Sequence, residues 1–459
     1  MKWISIFFTA FILLVSCRKE QFITSKDATL KTSADTLFFD TVFTSIGSVT
    51  KEFKIINDNS QKLLLSKVQL MGGKNSSFKL NIDGVSGPEN DNITIAANDS
   101  IYVFVQVNIS PDASLLPFII TDSVLINYNG NNKYVQLQAY GQNAIYIKNK
   151  VLNENVVWTN TLPYVILGGL HVNAGFTLTI NSGTRIFCHA DAPVLIDGTL
   201  ILNGTKNEPV IFKGDRLDAD YKTLPAAWPG IFFRHDSKDN IIRFCNIQNA
   251  YQGLVLQDPA TNANPKLTVS QTIIDNAYNS GILADNSSLA ADNCLISNCG
   301  SNIVLQGGGI YNFTNCTVPS YSNLFIEHKN PVLSVSNSSN NVINNLNATF
   351  VNCIFWGDGG AVKDEITIDK HGIGLFQVSF DHNLVKLSKD LQNVSMSGTI
   401  NNQDPLFDSI NVNKMHFDFH FNKSNSSPAI NSGVMTPFSK DLDDRNRANG
   451  QTDLGCYEK

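Results

Sequence analysis

The chain has 459 residues, of which 42% are apolar and only 16% charged, with a net charge of −6 at pH 7. This length allows two or three domains with ordinary cores, and the apolar content excludes a fully disordered chain. The negative balance provides no basic field to attract a phosphate backbone, which excludes nucleic acid binding as the expected function.

The first residues form a targeting segment. Lys2 supplies a positive start, an apolar run follows, and Leu14-Val15-Ser16-Cys17 resembles the lipobox of bacterial lipoproteins. The resemblance implies a signal peptide over residues 1–16 and lipidation of Cys17, which would place the protein in the bacterial cell envelope, at the outer membrane. A plain signal peptide with an incidental cysteine, or a short membrane anchor, is the alternative. The sequence does not tell which membrane face the protein occupies.

Residues 17–34 are predicted to be a polar tether, and residues 35–145 an all-β domain. Short runs of alternating apolar and polar residues, such as 101–107, are separated by polar turns, which is typical of a β-sandwich. Gln138-Ala139-Tyr140-Gly141 resembles the ending of the immunoglobulin-like module of abnormal-spindle and hydin proteins. The resemblance implies a spacer or docking module.

Residues 150–400 are predicted to form a solenoid of stacked β-coils. A small Cys or Thr, followed two positions later by Ile, Val or Phe, recurs at 245, 272, 294, 316 and 353, at intervals of 27, 22, 22 and 37 residues. A period near 22 without helical periodicity indicates such coils. The long interval predicts an insertion near residues 331–345. The phrases before the repeats resemble the opening coils of secreted right-handed parallel β-helix proteins.

Seven cysteines follow Cys17. Because equivalent residues of stacked coils lie ~4.8 Å apart, Cys294 and Cys316 are within reach of a disulfide. An apolar ladder of small buried side chains is the preferred interpretation. No spacing of Cys and His predicts a zinc site.

Residues 401–459 are predicted to cap the solenoid. Ser427-Pro428-Ala429-Ile430-Asn431-Ser432-Gly433 and the two acidic motifs after it resemble the ending of bacterial β-helix proteins. Asp444 and Cys456 depart from that family, which has Gly and Ala there, and Asp tolerates positive φ less readily than Gly. The acids could bind a cation. The preferred interpretation is a structural clasp, in which Arg447 pairs with one of the acids. The clasp residues are Asp441, Asp443, Arg447 and Asp453.

A polar column is predicted on one outer face of the solenoid. Alignment of the coils on one strand brings together five polar residues, with His328 beside the fourth. The predicted ligand-binding residues are Gln257, Asp285, Gln306, Glu327, His328 and Glu365. Such a row could bind successive sugar hydroxyls or hold Ca²⁺ through carboxylates. A solvated polar row without any ligand is the plainer alternative.

The sequence predicts no catalytic residues. Related β-helix enzymes include pectate and chondroitin lyases, but their motifs are not recognisable here, and a fold does not carry function with it. Pairs such as Asp381-His382 are poor catalytic dyads, since neighbours on a strand face opposite ways. The leading hypothesis is a lipid-anchored protein that binds an extended polysaccharide. The alternatives are a polysaccharide lyase or glycoside hydrolase, and a structural or protein-docking protein.

Overall fold

The protein is described by a computed structural model that covers residues 21–44, 48–110, 117–219, 221–422, 426–448 and 450–459. Within these ranges the regular structure is all β-strand, apart from two 3-10 turns at Gly73–Asn75 and Val412–Lys414. The predicted all-β class is confirmed. The signal peptide and Cys17 lie outside the described residues.

The chain divides into two compact units, residues 1–143 and 144–459. The first unit consists of β1 (Lys31–Thr32), β2 (Thr36–Phe43), β3 (Lys51–Asn57), β4 (Leu63–Leu70), β5 (Phe78–Ile82), β6 (Val85–Ser86), β7 (Glu89–Ile95), β8 (Asp99–Val107), β9 (Phe118–Tyr128) and β10 (Asn131–Gln142). They form two five-stranded sheets, ordered β1-β3-β8-β5-β6 and β2-β10-β9-β4-β7. Alternation along β8 buries every second residue, and the two sheets share one apolar core.

The segment after residue 20 belongs to the first unit, which corrects the predicted tether. β1 pairs antiparallel with β3, and Leu30 is buried in the shared core. The side-chain amide of Asn129 also donates hydrogen bonds to the carbonyls of Ile23 and Ser25. The buried side chains of Ala28 and Leu30 and a short strand are therefore enough to dock a stretch whose polar composition predicted a solvated tether.

The second unit is a single 26-stranded sheet wound into coils. Its strands are β11 (Ile145–Leu152), β12 (Val156–Trp158), β13 (Tyr164–Val172), β14 (Thr177–Asn181), β15 (Arg185–Cys188), β16 (Val194–Ile196), β17 (Thr199–Asn203), β18 (Val210–Gly214), β19 (Ile231–Phe233), β20 (Asn240–Arg243), β21 (Cys245–Gln248), β22 (Gln252–Gln257), β23 (Leu267–Ser270), β24 (Ile273–Asp275), β25 (Ser280–Asp292), β26 (Leu295–Ser297), β27 (Ser301–Thr314), β28 (Thr317–Tyr321), β29 (Leu333–Ser336), β32 (Leu346–Val351), β33 (Ile354–Asp358), β34 (Ile366–Asp369), β35 (Phe376–Asp381), β36 (Leu384–Val385), β37 (Ser395–Ser397) and β38 (Ile400–Asn401). All its pairings are parallel, as a solenoid requires.

Parallel pairing sorts most of these strands into three rows. The first row is β12, β14, β17, β20, β23, the second parts of β25 and β27, β32, β35 and β37. The second row is β15, β18, β21, β24, β26, β28, β33, β36 and β38. The third row is β16, β19, β22, the first parts of β25 and β27, β29 and β34. The coils from β14 to β34 thus contribute one strand to each row around a common core, and the last two coils, with β35 to β38, contribute to the first and second rows.

The repeated phrase marks the corner between the first and second rows. The residue before each small Cys or Thr adopts a positive φ, which turns the chain in a single step: Phe244 46°, Gln271 47°, Asn293 50°, Asn315 53° and Asn352 53°. Asn tolerates this conformation better than most residues, which explains its recurrence. The small residue itself points inward and is buried in every copy, and all seven described cysteines are free.

The insertion at the long interval is a short hairpin. The fourth coil of the repeat region first forms the third-row strand β29, and then β30 (Ser338–Ser339) and β31 (Val342–Ile343) fold back as an antiparallel pair. The predicted range 331–345 therefore contains one ordinary coil strand and one projecting hairpin. The hairpin lies beside the third row and contributes to the site described below.

The tail runs along the side of the coils. Its strands β39 (Phe407–Asn411) and β40 (His416–Phe421) form a hairpin, and the tail shares an apolar cluster with outward residues of the second row such as Leu295, Ile354 and Leu384. Gln271, which lies five coils before the last strand, donates a hydrogen bond to the carbonyl of Asp441. The tail thus covers a lateral face, which differs from the predicted cap on the last coil.

Candidate binding groove

Part of the predicted polar column exists in the third row. Gln257 pairs with Asp285, and Asp285 pairs with Gln306, so the three side chains occupy successive coils at one corner. Each follows an inward residue of its strand, Leu256, Ala284 or Leu305, so the polar side chain points outward. The sequence alignment of these three coils matches the register in the structure.

The fourth and fifth members of the column were predicted wrongly. Leu305 pairs with Val335, and Ser336 pairs with Asp369, so the column continues through Ser336 and Asp369. The predicted register placed a third-row strand near residue 323, but the chain forms a loop there, before β29. Glu327 lies exposed in that loop and pairs with the ammonium group of Lys329 at 2.8 Å.

Glu365 and His328 form a buried pair away from the column. His328 Nε2 lies 2.9 Å from Glu365 Oε1, and the side chains are 2% and 0% exposed. Gly357 passes so close that a Cβ there would collide with both groups. Glu365 Oε2 is buried without a hydrogen-bond partner among the described residues. Both residues were predicted to bind ligand, but the loop around Gly360 separates them from solvent in this structure.

A groove of about 400 Å³ follows the three-coil column. Its lining is almost entirely polar: Gln257, Asp258, Asp285, Asn286, Gly307, Ser339, Asn340, Val342 and Asn344. The coils form one wall, and the projecting β30–β31 hairpin forms the other. The insertion therefore converts a flat polar face into a concave site, the usual geometry for a ligand.

Asp285 holds the centre of the groove together. Its Oδ2 atom accepts hydrogen bonds from Gln306 Nε2 at 3.0 Å and from Ser339 Oγ at 2.9 Å. Asn344 secures the far side of the hairpin by donating to the carbonyl of Gly307 at 2.6 Å. These contacts fix the hairpin against the coils.

The column continues past Gln257 toward the earlier coils, where the sequence had not predicted a site. Ile196 pairs with Phe233 in the third row. The residues that follow them, Asp197 and Arg234, form an ion pair through their side chains. His171 Nε2 lies 2.7 Å from Asp197 Oδ2. Partial burial opposes ionisation of Asp197, but hydrogen bonds from Arg234 and His171 outweigh it and lower the pKa of Asp197. Arg234 is therefore neutralised by the protein and is not free to bind an acidic sugar.

Lys266 supports the same corner from inside. Its buried ammonium group donates hydrogen bonds to the carbonyls of Arg234 at 2.7 Å, His235 at 3.0 Å and Gln257 at 2.7 Å. Burial lowers the pKa of Lys266 to about 8. The backbone that presents the groove is thus fixed by a single buried cation, which the sequence reasoning missed because one Lys among polar turns gives no pattern.

The four predicted clasp residues have partners in the tail and in the coils, and these partners differ from the predicted ones. Arg447 pairs with Glu458 at 3.2 Å, and its Nε and Nη2 donate to Asn293 Oδ1. The carboxylate of Asp441 accepts hydrogen bonds from the backbone N–H groups of Arg445 and Glu458. The carboxylate of Asp453 accepts them from the backbone N–H groups of Asn431 and Lys459. Asp443 contacts Lys206 and His420. Each clasp acid therefore has protein partners in the tail or in a neighbouring coil.

The remaining candidate chemistry is sparse among the described residues. They contain no group of three or more His, Cys, Asp or Glu side chains arranged to hold a metal ion. Asp381 and His382, predicted to face apart, do contact each other at 2.8 Å, because His382 adopts a positive φ at a coil corner. No helix in the described part of the chain is long and apolar enough to cross a bilayer.

Comparisons with known proteins give no assignment. No family model matches the chain, and no curated protein matches it. One similar solved structure is a family 123 glycoside hydrolase from Clostridium perfringens, with 11% identity, a TM-score of 0.19 and coverage of 26% of this chain and 31% of that chain. Another is PapD-like domain 7 of human CEP192, with 10% identity, a TM-score of 0.18 and coverage of 26% of this chain and 89% of that chain.

Proposed function

We propose that the chain is a lipid-anchored protein of the bacterial cell envelope that binds a neutral polysaccharide in the groove beside Asp285. In this proposal the first unit is an immunoglobulin-like module and the second a right-handed parallel β-helix of the family whose tail signature the sequence resembles. The β-helix would supply a rigid scaffold, with the lipid on Cys17 as the membrane attachment.

The observation that carries the binding proposal is the lining of the groove. Amide, hydroxyl and carboxylate groups of Gln257, Asp285, Asn286, Ser339 and Asn340 converge there, and these groups pair with hydroxyls as donors and acceptors. A sugar chain presents many hydroxyls, which polar side chains from two successive coils and from the hairpin can bind. The acids Asp258 and Asp285 disfavour a negatively charged glycan, which leaves a neutral one.

Replacing Asp285 by Ala should weaken binding of neutral polysaccharide at least tenfold, because the substitution removes a ligand contact and releases the hairpin through Ser339. The measurement is binding of the purified full-length protein to an array of neutral and acidic polysaccharides. Asp390→Ala is the matched control, since Asp390 is exposed and does not line the groove. Equal binding by wild type and Asp285→Ala, or binding by wild type to acidic glycans alone, would contradict the proposal.

Replacing Cys17 by Ser should release the protein from the membrane fraction, because a serine cannot carry the thioether-linked lipid. The measurement is fractionation of cells that express wild type and Cys17→Ser, with Cys188→Ser as control, since Cys188 is buried in the coil core. Membrane retention of Cys17→Ser at the wild-type level would show that another segment anchors the protein.

Protein docking is a second candidate function, and it rests on the first unit. Several large side chains lie exposed on the sheet that contains β2, β9 and β10, and three of them are close together: Phe38, Ile119 and Tyr140. Ile119 and Tyr140 are direct cross-strand partners, and Phe38 pairs beside them with Gln138. An apolar group on an outward sheet face is typical of a protein contact, so this unit could hold a partner while the groove binds glycan.

A further inference from the structure

Two exposed tyrosines lie on the same two coils that form the groove. Tyr251 directly precedes β22, and Tyr278 lies just before β25, at the opposite end of these strands from Gln257 and Asp285. The side chains are 44% and 51% exposed, and their rings are nearly parallel, at 28° with centroids 5.9 Å apart. The following coil places Gly300 against the backbone of Tyr278, so that coil adds no side chain at this corner.

We infer that Tyr251 and Tyr278 form an aromatic subsite for the same neutral glycan that occupies the groove, and that the glycan lies along the strands of the third row, from their first residues to the groove. This inference rests on the proposed function. The C–H faces of a pyranose ring pack against an aromatic ring, while the phenol hydroxyls remain available for hydrogen bonds, so tyrosine suits a ligand that is apolar on one face and polar at its edge.

The distance between the two sites sets the length of the ligand. Six residues separate Tyr251 from Gln257 along an extended strand, which spans about 20 Å at strand rise. A disaccharide is too short to reach both sites, whereas a chain of several sugar units can. The surface between them carries Phe232, Leu283 and Val304, which are outward and partly exposed and contain no charge. A neutral chain can therefore cross this surface without burying an unpaired charge.

The length dependence of binding tests the inference. The probes are cellobiose to cellohexaose and maltose to maltohexaose, used as competitors of a polysaccharide that wild type binds on the array. In one of the two series, affinity for wild type should rise at least tenfold once the chain spans both sites. Tyr251→Ala and Tyr278→Ala should each remove that gain. Tyr134→Ala is the control, since Tyr134 is also 44% exposed but belongs to the first unit.

The outcomes separate the two proposals. If both tyrosine variants have the wild-type affinity at every chain length while Asp285→Ala loses binding, the proposed aromatic subsite is wrong. The proposal of glycan binding in the groove is then still supported. If Asp285→Ala binds like wild type, the groove proposal itself fails. A change of oligomeric state in Tyr251→Ala, measured by sedimentation, would instead assign the tyrosines to a protein contact and overturn the inference. The absence of any length dependence with wild type would also overturn it.

Discussion

Replacing Arg447 by Met is expected to destabilise the second unit by about 3–5 kcal/mol, the usual cost of removing one partner from a buried ion pair. The guanidinium group is buried, donates to Asn293 Oδ1 and to the carbonyls of Asp453 and Gly455, and pairs with Glu458. Met fills a similar volume but leaves the Glu458 carboxylate without its cation. The measurement is the free energy of unfolding in urea.

The matched control is Arg445→Met. Arg445 belongs to the same turn, is exposed, and lies 3.4 Å from Asp443. Because the Arg445 guanidinium is exposed and Asp443 keeps Lys206 and His420 as partners, the loss of this contact should cost about 0–1 kcal/mol. The loss of unfolding free energy in Arg447→Lys should lie between those of Arg447→Met and Arg445→Met. A lysine ammonium keeps the positive charge but cannot reproduce the planar set of guanidinium donors. Equal unfolding free energies for Arg447→Met and Arg445→Met would show that the tail does not depend on this contact.

Lys266 should make the stability of the second unit depend on pH in an unusual direction. Its pKa in the folded protein is about 8, below the ordinary 10.5, because burial disfavours the charged form. The unfolded chain then holds more protons than the folded chain between these values, so the contribution of Lys266 to stability increases as the pH rises from 8 toward 10.5. At roughly 1.4 kcal/mol per unit of pKa difference, the increase is about 3 kcal/mol.

The quantity to measure is the difference in unfolding free energy between wild type and Lys266→Met, from pH 7 to pH 10.5. Taking a difference cancels the titration of the other lysines and tyrosines. Lys238→Met is the control, since Lys238 is exposed in the neighbouring turn, and its difference should stay flat. A flat difference for Lys266 as well would mean that its three carbonyl partners keep the ammonium charged at its ordinary pKa.

The coil architecture could be predicted because each corner imposes a local requirement. A one-residue turn with positive φ favours Asn, and the inward position beside it admits only a small residue, so Asn315-Cys316 and Asn352-Cys353 repeat in the sequence. These requirements concern one or two adjacent residues and are therefore visible without knowing the fold. The parallel sheet that they predicted is the one observed.

The site was predicted only as far as each coil kept a recognisable third-row strand. Gln257, Asp285 and Gln306 lie 28 and 21 residues apart, each directly after an apolar residue of such a strand, and their register is as expected. Beyond Gln306 a loop precedes β29, and a residue count cannot tell a loop from a strand when both contain scattered apolar side chains. The second wall of the groove depends on how the β30–β31 hairpin folds back, which is a tertiary property.

Asp444 shows how a departure from a family pattern can be resolved. The sequence placed an Asp where the resembled family has Gly, and the expected difficulty was a positive φ. Asp444 does adopt a φ of 62°, and its carbonyl accepts a hydrogen bond from Lys440 Nζ at 3.1 Å. The turn therefore keeps the left-handed conformation with Asp in place of Gly, and the strain energy of Asp in this conformation is modest.

The lateral course of the tail makes synthesis of residues 427–459 a condition for folding the middle coils. Arg447 reaches Asn293 across 154 positions, and Leu454 and Cys456 cover Leu295 and Ile354. A polypeptide truncated just before these residues during synthesis or secretion would expose a strip of apolar side chains on coils that are otherwise finished. Such a fragment would aggregate or be degraded, so the coils that contain Leu295, Ile354 and Leu384 depend on a segment that is synthesised after them.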